Sequence, residues 1–363
     1  MTDFNAMEKT NNPDLSSGII RIIDANLNRA AEGLRVLEDV SRMLLNDTSV
    51  TSELKSLRHF LEHSSAYSRQ ALLSARDSQG DIGQEMSVEL SRVHKDTFDI
   101  VTANARRVEQ ALRTLEEIAR LPDSGMESNT FQKMRFNLYD IEKRLFSMLA
   151  RKQKQSQIKG LYVVLDSTIS EKHDHIIKAE AFLDAGVKII QLNEKNIAAG
   201  RMLELASSLQ QLCNSYNALL VINSRLDIAL ASGAGGLHLD IEDIPLHKAR
   251  QYLPAGTIIG ISVYSTEEAV KADQAGADYI SLEMSFNTYS ESCLAKSYEA
   301  LSTVRKAISI PLVANCDTNI DNITHTVEAG ADAVAIKSTF FKSEDPGEDA
   351  RTLMEFFNQA HFC

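Results

Sequence analysis

The sequence contains no Cys-x-x-Cys pair. Its four cysteines, Cys213, Cys293, Cys316 and Cys363, stand far apart, which excludes a zinc ribbon and a disulfide framework and fits a reducing cytoplasm. Positive charge is not in excess either. Against 38 Lys and Arg stand 50 Asp and Glu, a formal net charge of −12, so a general binder of nucleic acid is excluded and any phosphate site must be local. Long apolar runs are missing: no stretch approaches the ~18 residues needed to span a bilayer. The first eighteen residues are polar and lack the apolar region of a secretory signal, so residues 1–18 are expected to form a disordered arm, with no membrane segment. What is present is an ordinary globular composition, 44% hydrophobic and 24% charged over 363 residues. That length suggests two domains, or one barrel with an appendage.

The two halves have different periods. Over 19–150 the apolar residues recur at three and four positions, as in Leu27, Ala30, Leu34 and Leu37, and Pro122 is the only proline. This predicts an all-helical domain. It contains a repeat: Asp24 to Arg42 realigns 78 residues later on Thr102 to Arg120, with eight identities in nineteen positions. A core needs the repeated leucines but not the repeated polar pairs Asn26/Asn104, Arg29/Arg107, Arg35/Arg113 and Glu38/Glu116. Two readings follow from the pattern, a pseudo-symmetric pair of helices laced by i,i+3 and i,i+4 ion pairs, or an anion-binding cleft between the repeats.

After a polar, basic run over 151–160, expected as a linker or the frayed end of a helix, eight short β-rich runs alternate with helical patterns: 161–165, 187–192, 219–223, 236–240, 257–262, 278–283, 311–315 and 333–338. Near-continuous apolar strands belong to a parallel sheet covered on both faces. Ala-Gly pairs at 184–187, 232–235, 274–278 and 328–332 precede strands, where a left-handed glycine ends a helix. The fold class is therefore α/β, a C-terminal (β/α)8 TIM barrel over 161–358 preceded by the helical domain. In such a barrel the chemistry sits at the carboxyl ends of the strands. There the sequence places Gln191, Asn193, Lys195, Asn223, Ser224, His238, Asp240, Glu242, Asp243, Ser262 and Tyr264. Lysine with hydroxyls and amides suits phosphate, and a carboxylate cluster suits Mg²⁺ shared with phosphate oxygens.

The second half resembles thiamine phosphate synthase, a (β/α)8 enzyme that joins hydroxymethylpyrimidine diphosphate to a thiazole phosphate and releases pyrophosphate. The resemblance rests on ordered blocks: QL-x-x-K (Gln191 to Lys195), N-x-R-x-D-x-A (Asn223 to Ala229), HL-x-x-x-D-x-P (His238 to Pro245), G-x-S (Gly260 to Ser262), F-x-T (Phe286 to Thr288) and the run Ala329 to Ser338. It implies that Gln191, Lys195, Asn223 and Ser262 hold the pyrimidine diphosphate, that Asp243 binds Mg²⁺, and that Thr288 and Ser338 meet the thiazole phosphate. The first half resembles a helical domain fused ahead of that synthase in some bacteria, to which hydroxymethylpyrimidine-phosphate kinase activity is attributed, through 24–39, 57–62, 80–83, 103–117 and 134–142. No P-loop is present, so ATP as a substrate of this half is implied by the resemblance alone. Arg58 and His59 are added to its doubled polar set as cleft candidates, and Asp81 as a Mg²⁺ ligand with ATP or as a loop residue. Expected partners are small phosphorylated pyrimidines and thiazoles, with a homo-oligomer left open.

Several barrel positions depart from the family pattern. Asn193 stands for an arginine, Ser224 for a second metal-binding aspartate, Tyr264 for a histidine, Glu283 and Met284 for a Gly-Pro pair, Glu291 for a lysine, and Cys316 and Asp317 for paired glycines. A glutamate for lysine beside a phosphate turns attraction into repulsion. Asp240 or Glu242 could replace the missing metal ligand, and Lys296 the missing cation. The alternative is a degenerate barrel that binds or scaffolds while only the helical domain is catalytic. His173 and His175 read as a solvated loop pair, and Cys316 as a buried residue.

Overall fold

The computed structural model describes residues 16–76, 93–166, 172–283, 291–315, 321–337 and 345–360. The chain divides into two compact units, 1–149 and 150–363. Among the described residues no helix is long and apolar enough to cross a membrane. Most of the expected arm, and Asp81, Thr288, Cys316, Asp317 and Ser338, lie outside the described residues.

The first unit is helical. Helix α1 (Ser17–Asp39) runs into a π-helical turn, Val40–Leu45, which ends at Asn46 in the left-handed conformation. Helices α2 (Thr48–His63), α3 (Arg69–Ser74) and α4 (Thr97–Ile118) each begin on a side-chain cap, with Asp47, Ser68 and Asp96 accepting from the backbone N–H three residues on. Such a cap satisfies an N–H that the helix itself leaves unpaired. Helix α5 (Ser128–Gln155) follows. The apolar stripe read from the sequence is the packed one: Ala30, Leu34 and Leu37 of α1 and Ala105, Val108, Leu112 and Leu115 of α4 are buried in one core. The two repeats pack directly on each other. A Cβ on Gly33 would lie 2.5 Å from Val108 Cγ2 and 3.1 Å from the Asn104 carbonyl, so only glycine permits this approach.

The second unit is a closed barrel of eight parallel strands in chain order: β1 (Gly160–Asp166), β2 (Ile189–Asn193), β3 (Leu219–Asn223), β4 (Gly236–Leu239), β5 (Ile258–Val263), β6 (Tyr279–Glu283), β7 (Leu312–Asn315) and β8 (Ala333–Lys337). Each strand is followed by a helix, α6 (Lys172–Asp184) to α13 (Pro346–Ala360). The expected strands are all present, with ends displaced by at most two residues. Gly186, Gly233, Gly276 and Gly330 have φ between 69° and 109°, the left-handed conformation expected between helix and strand. Of the two readings of the basic run, its first half is the end of a helix: Arg151–Gln155 completes α5 and only a short turn leads into β1. Its lysines, arginine and glutamines are good helix formers, and three of them are used: Lys154 Nζ donates to the Gly235 and Gly256 carbonyls, while Gln155 and Arg151 meet Asp278.

The barrel has two apolar compartments. One lies between strands and helices, and the other fills the interior with Tyr162, Val164, Ile189, Val221, Ile258, Tyr279 and Val313. Gly260 makes room for the Tyr279 ring, since a Cβ there would lie 1.9 Å from its Cζ. This packed floor closes the barrel below and leaves its carboxyl end as the open mouth.

Candidate active site

The carboxyl ends of the strands surround a cavity of about 650 Å³. Gln191, Lys195, Asn223, Asp243 and Ser262 all line it, as do Tyr162, Asn193, Glu194, His238, Asp240, Glu242, Tyr264, Tyr279, Glu283, Asn315 and Lys337. The five described barrel residues singled out from the sequence thus face one hollow, although four strand–loop segments carry them.

Hydrogen bonds tie most of the wall together. The Tyr162 hydroxyl donates to Gln191 Oε1 at 2.7 Å, and Gln191 Nε2 donates to Asn223 Oδ1 at 2.8 Å. Asn223 Nδ2 in turn donates to Ser224 Oγ at 3.0 Å, and Ser224 Oγ donates to Asp243 Oδ2 at 2.7 Å. On the other side the Tyr162 and Tyr279 hydroxyls lie 3.0 Å apart, and Tyr279 meets His238 Nδ1 at 3.0 Å. His238 Nε2 lies 2.9 Å from Ser262 Oγ, which donates to Glu283 Oε1 at 3.0 Å. Since the serine proton is committed to Glu283, the imidazole donates from Nε2 and accepts from the Tyr279 hydroxyl at Nδ1. Full burial pushes the His238 pKa down to about 4, against the opposing pull of Asp240 and Asp243, so the ring is neutral near pH 7. Burial likewise raises both phenols, Tyr162 well above its ordinary value.

The acidic wall lies after β4. Asp243 Oδ2 also accepts from the Asp240 backbone N–H at 2.7 Å. Ser224, with φ 58°, thereby orients Asp243 instead of adding a ligand of its own. Among the described residues no group of three or more His, Cys, Asp and Glu is arranged for a metal ion. A magnesium ion needs less than that, because one or two carboxylates suffice when substrate phosphates supply further oxygens. Asp243, fixed by two donors and flanked on the same wall by Asp240 and Glu242, fits such a role.

The sequence reading missed part of this wall. Tyr162 and Tyr279 stand inside apolar strand runs, and only closure of the barrel brings their hydroxyls to Gln191 and His238. His175 is also placed differently from the solvated loop pair expected. It lies in α6, is 3% exposed, and its Nε2 is 2.7 Å from Glu194 Oε1. The buried carboxylate beside Lys195 draws the ring inward. Among the departures, Tyr264 is exposed at the rim and Asn193 lines the cavity with a buried, unpartnered Oδ1. Glu291 opens α11 (Glu291–Ala307).

In the helical unit the doubled polar set separates into two kinds. Glu38 is 4% exposed and accepts from Arg35 at 3.3 Å and Arg58 at 3.1 Å. Its repeat mate Glu116, 1% exposed, accepts from Arg113, Arg120 and Arg135 at 2.8, 2.9 and 3.1 Å. These are structural ion pairs. Asn26 and Asn104 each donate to the carbonyl four residues earlier at 2.8 Å. Arg107 and Asn104, with His94, Lys95 and Arg106, line a cavity of about 1000 Å³ along α4 and the residues that precede it. Among the described residues of the set, Asn104 and Arg107 share this hollow, while α1 and α4 pack closely on each other at Gly33. His59 is exposed on α2 and stacks on His63 at 4.6 Å.

Comparison with known proteins agrees with this division. Residues 161–340 match the family model described as thiamine monophosphate synthase, and residues 21–144 match the ThiD2 family. The chain is 34% identical to the thiamine-phosphate synthase of Synechococcus sp. (strain WH7803), over 94% of this chain and 97% of that one. It is 34% identical to that of Nostoc sp. (strain PCC 7120 / SAG 25.82 / UTEX 2576), over 94% and 95%. Among solved structures, thiamine phosphate pyrophosphorylase from Pyrococcus furiosus is 30% identical, with a TM-score of 0.51, covering 57% of this chain and 98% of that one. With both units matched in order and nearly the full length shared, the chain belongs to the thiamine-phosphate synthase family.

Proposed function

We propose that the barrel condenses a hydroxymethylpyrimidine diphosphate with a thiazole phosphate to give thiamine phosphate and pyrophosphate, at the cavity where the strands end. The observation that carries this reading is that Gln191, Lys195, Asn223, Asp243 and Ser262 line one hollow of about 650 Å³, a volume suited to a small phosphorylated ligand. Lys195 meets the diphosphate as a point charge. Gln191 and Asn223, locked to each other and to Tyr162, orient the pyrimidine with little freedom left to lose on binding. Ser262, held by His238, contacts the same substrate. Asp243 holds Mg²⁺, which when bound supplies positive charge to the departing pyrophosphate. Thr288 and Ser338 meet the thiazole phosphate. The neutral His238 leaves the site without a strong base, and none is needed when the nucleophile is a neutral ring nitrogen.

The helical unit, in this reading, phosphorylates hydroxymethylpyrimidine phosphate with ATP, its phosphates meeting Arg107, Arg106 and Lys95 around the cavity on α4. Incubation of the full chain with MgATP, hydroxymethylpyrimidine phosphate and thiazole phosphate should yield thiamine phosphate. Lys195→Ala should lower synthase turnover by about 100-fold or more while ADP formation by the helical unit continues. Failure of the intact chain to convert the pyrimidine diphosphate and thiazole phosphate would favour the binding-module reading, to which the replaced positions Asn193, Ser224 and Glu291 lend their weight.

A further inference from the structure

Among the described residues of the barrel mouth, Glu283 is the carboxylate that sits on the Ser262 side of the relay. It ends β6, and its side chain lines the cavity. Asn315 Nδ2 donates to both of its oxygens, at 2.7 Å to Oε1 and 2.9 Å to Oε2, while Ser262 donates to Oε1. Two neighbouring strands thus fix the carboxyl group at the rim of the substrate cavity. Other carboxylates of the wall are engaged elsewhere: Asp243 with Ser224 and the Asp240 N–H, Glu194 with His175.

The chemistry of the condensation distinguishes two poles. The bond from the pyrimidine methylene carbon to oxygen breaks, and both electrons leave with pyrophosphate. The lone pair of the thiazole nitrogen forms the new bond to that carbon, no proton is exchanged, and the nitrogen becomes positively charged. Positive charge therefore arises on the organic fragment whether carbon–oxygen cleavage precedes attack or accompanies it. Lysine and metal serve the departing pole. A carboxylate serves the other, and in a partly dry cavity a preoriented charge is effective because it need not reorganise.

We propose that Glu283 is a further catalytic residue of this barrel, the counter-charge to the cation that forms on the pyrimidine methylene and the thiazole nitrogen. The assignment rests on the reading of the cavity given above. The surroundings suit a carboxylate that stabilises charge as it appears. Burial, with the nearby Asp240 charge, raises the Glu283 pKa and so disfavours a free anion, whereas Asn315, Ser262 and Lys337 favour the ionised form; a cation arriving beside it completes the compensation.

The test uses the full chain. Glu283→Gln keeps the shape and removes the charge, so kcat for thiamine phosphate formation should fall about 100-fold with the KM for the pyrimidine diphosphate within about threefold. Glu283→Asp should recover at least tenfold of the loss. Calorimetry supplies a readout apart from turnover: Glu283→Gln should bind the cationic product, thiamine phosphate, about tenfold more weakly, with pyrophosphate binding in Mg²⁺ unchanged. A kcat within twofold of the parent, or equal loss of affinity for both ligands, would overturn the proposal. If the parent chain forms no product, the synthase reading is what has failed. The paired binding measurements then decide the role of Glu283 separately, loss confined to the cationic ligand supporting it and equal or absent loss ending it.

Discussion

A methyl group at position 260 would sit 1.9 Å from the Tyr279 ring, so the glycine of the G-x-S block serves the aromatic ring inside the barrel as much as the strand itself. Moving that ring disturbs both phenol contacts and the His238–Ser262 pair above it. Gly260→Ala should therefore lower stability by about 1–3 kcal/mol, read as a shift of the denaturation midpoint at unchanged slope. Gly200 is the contrast: it is helical, and a Cβ there would meet nothing within 4 Å, so Gly200→Ala should be neutral or stabilise by up to about 1 kcal/mol. His238 gives a pH-dependent counterpart. Its folded pKa lies near 4, below the ordinary 6.5, so its contribution is complete above pH 6.5. As pH falls from there the unfolded chain takes up a proton that the folded ring refuses, and on the order of 3 kcal/mol is lost by pH 4. Stability measured from pH 7 to 4 should fall more steeply for the parent than for His238→Gln. Residues of this kind were half legible in the sequence. Gln191, Lys195, Asn223, Asp243 and Ser262 stand at strand ends, where polarity interrupts an apolar run. Tyr162 and Tyr279 stand inside such runs, and their hydroxyl partners come from strands 29 to 117 positions away, a distance that no local pattern encodes.

The eight strands were legible because each is a short, nearly unbroken apolar run, and because a left-handed glycine marks the turn into four of them. In two of those turns an aspartate adds a further tie. Asp278 accepts from the Ile259 N–H and Asp332 from the Leu312 N–H, both at 2.8 Å, fastening one strand to the loop before the next. The helical repeat was legible as a repeat, but spacing alone left two meanings for its charges. Burial separates them. Glu116, at 1% exposed, is surrounded by Arg113, Arg120 and Arg135, whereas the side chain of Arg35 is half exposed. Removing the buried hub leaves three cations without their shared partner, so Glu116→Ala should destabilise by about 2 kcal/mol or more. Arg35→Ala trims a solvated pair and should cost less than about 1 kcal/mol. Equal effects in thermal denaturation would mean that the buried carboxylate and the exposed arginine do not differ in the way their burial implies. The π-helical turn after α1 left no such mark, since it changes neither the period nor the polarity that a sequence displays, whereas the polar run at 151–160 was open to both a linker and a helix end.

At the scale of the whole molecule, the acidic balance and the phosphate chemistry are reconciled by locality. A net charge of −12 repels polyphosphates at a distance, so binding has to come from groups within about a Debye length, ~8 Å at physiological salt. The two units offer separate sets. The barrel has Lys195, Lys337 and Arg225, the last paired with Asp227, in a cavity shared with five carboxylates, Glu194, Asp240, Glu242, Asp243 and Glu283, and so depends on a divalent cation to receive a diphosphate. The cavity on α4 has Lys95, Arg106 and Arg107 against Asp99, and can receive phosphate with less help from a metal. Amide hydrogen exchange on the full chain should resolve this difference by place. Pyrophosphate with Mg²⁺ should protect the segments at the ends of β2 to β5 and lose that effect when the metal is chelated. ATP should protect α4 over about its first three turns, with a weaker dependence on the metal. A ligand at 100 times its Kd stabilises the form it binds by about 2.7 kcal/mol, enough to slow exchange by roughly 100-fold wherever opening requires its release. Protection of the barrel alone by both ligands would place all phosphate chemistry in one unit and leave the basic face of α4 as a solvated surface.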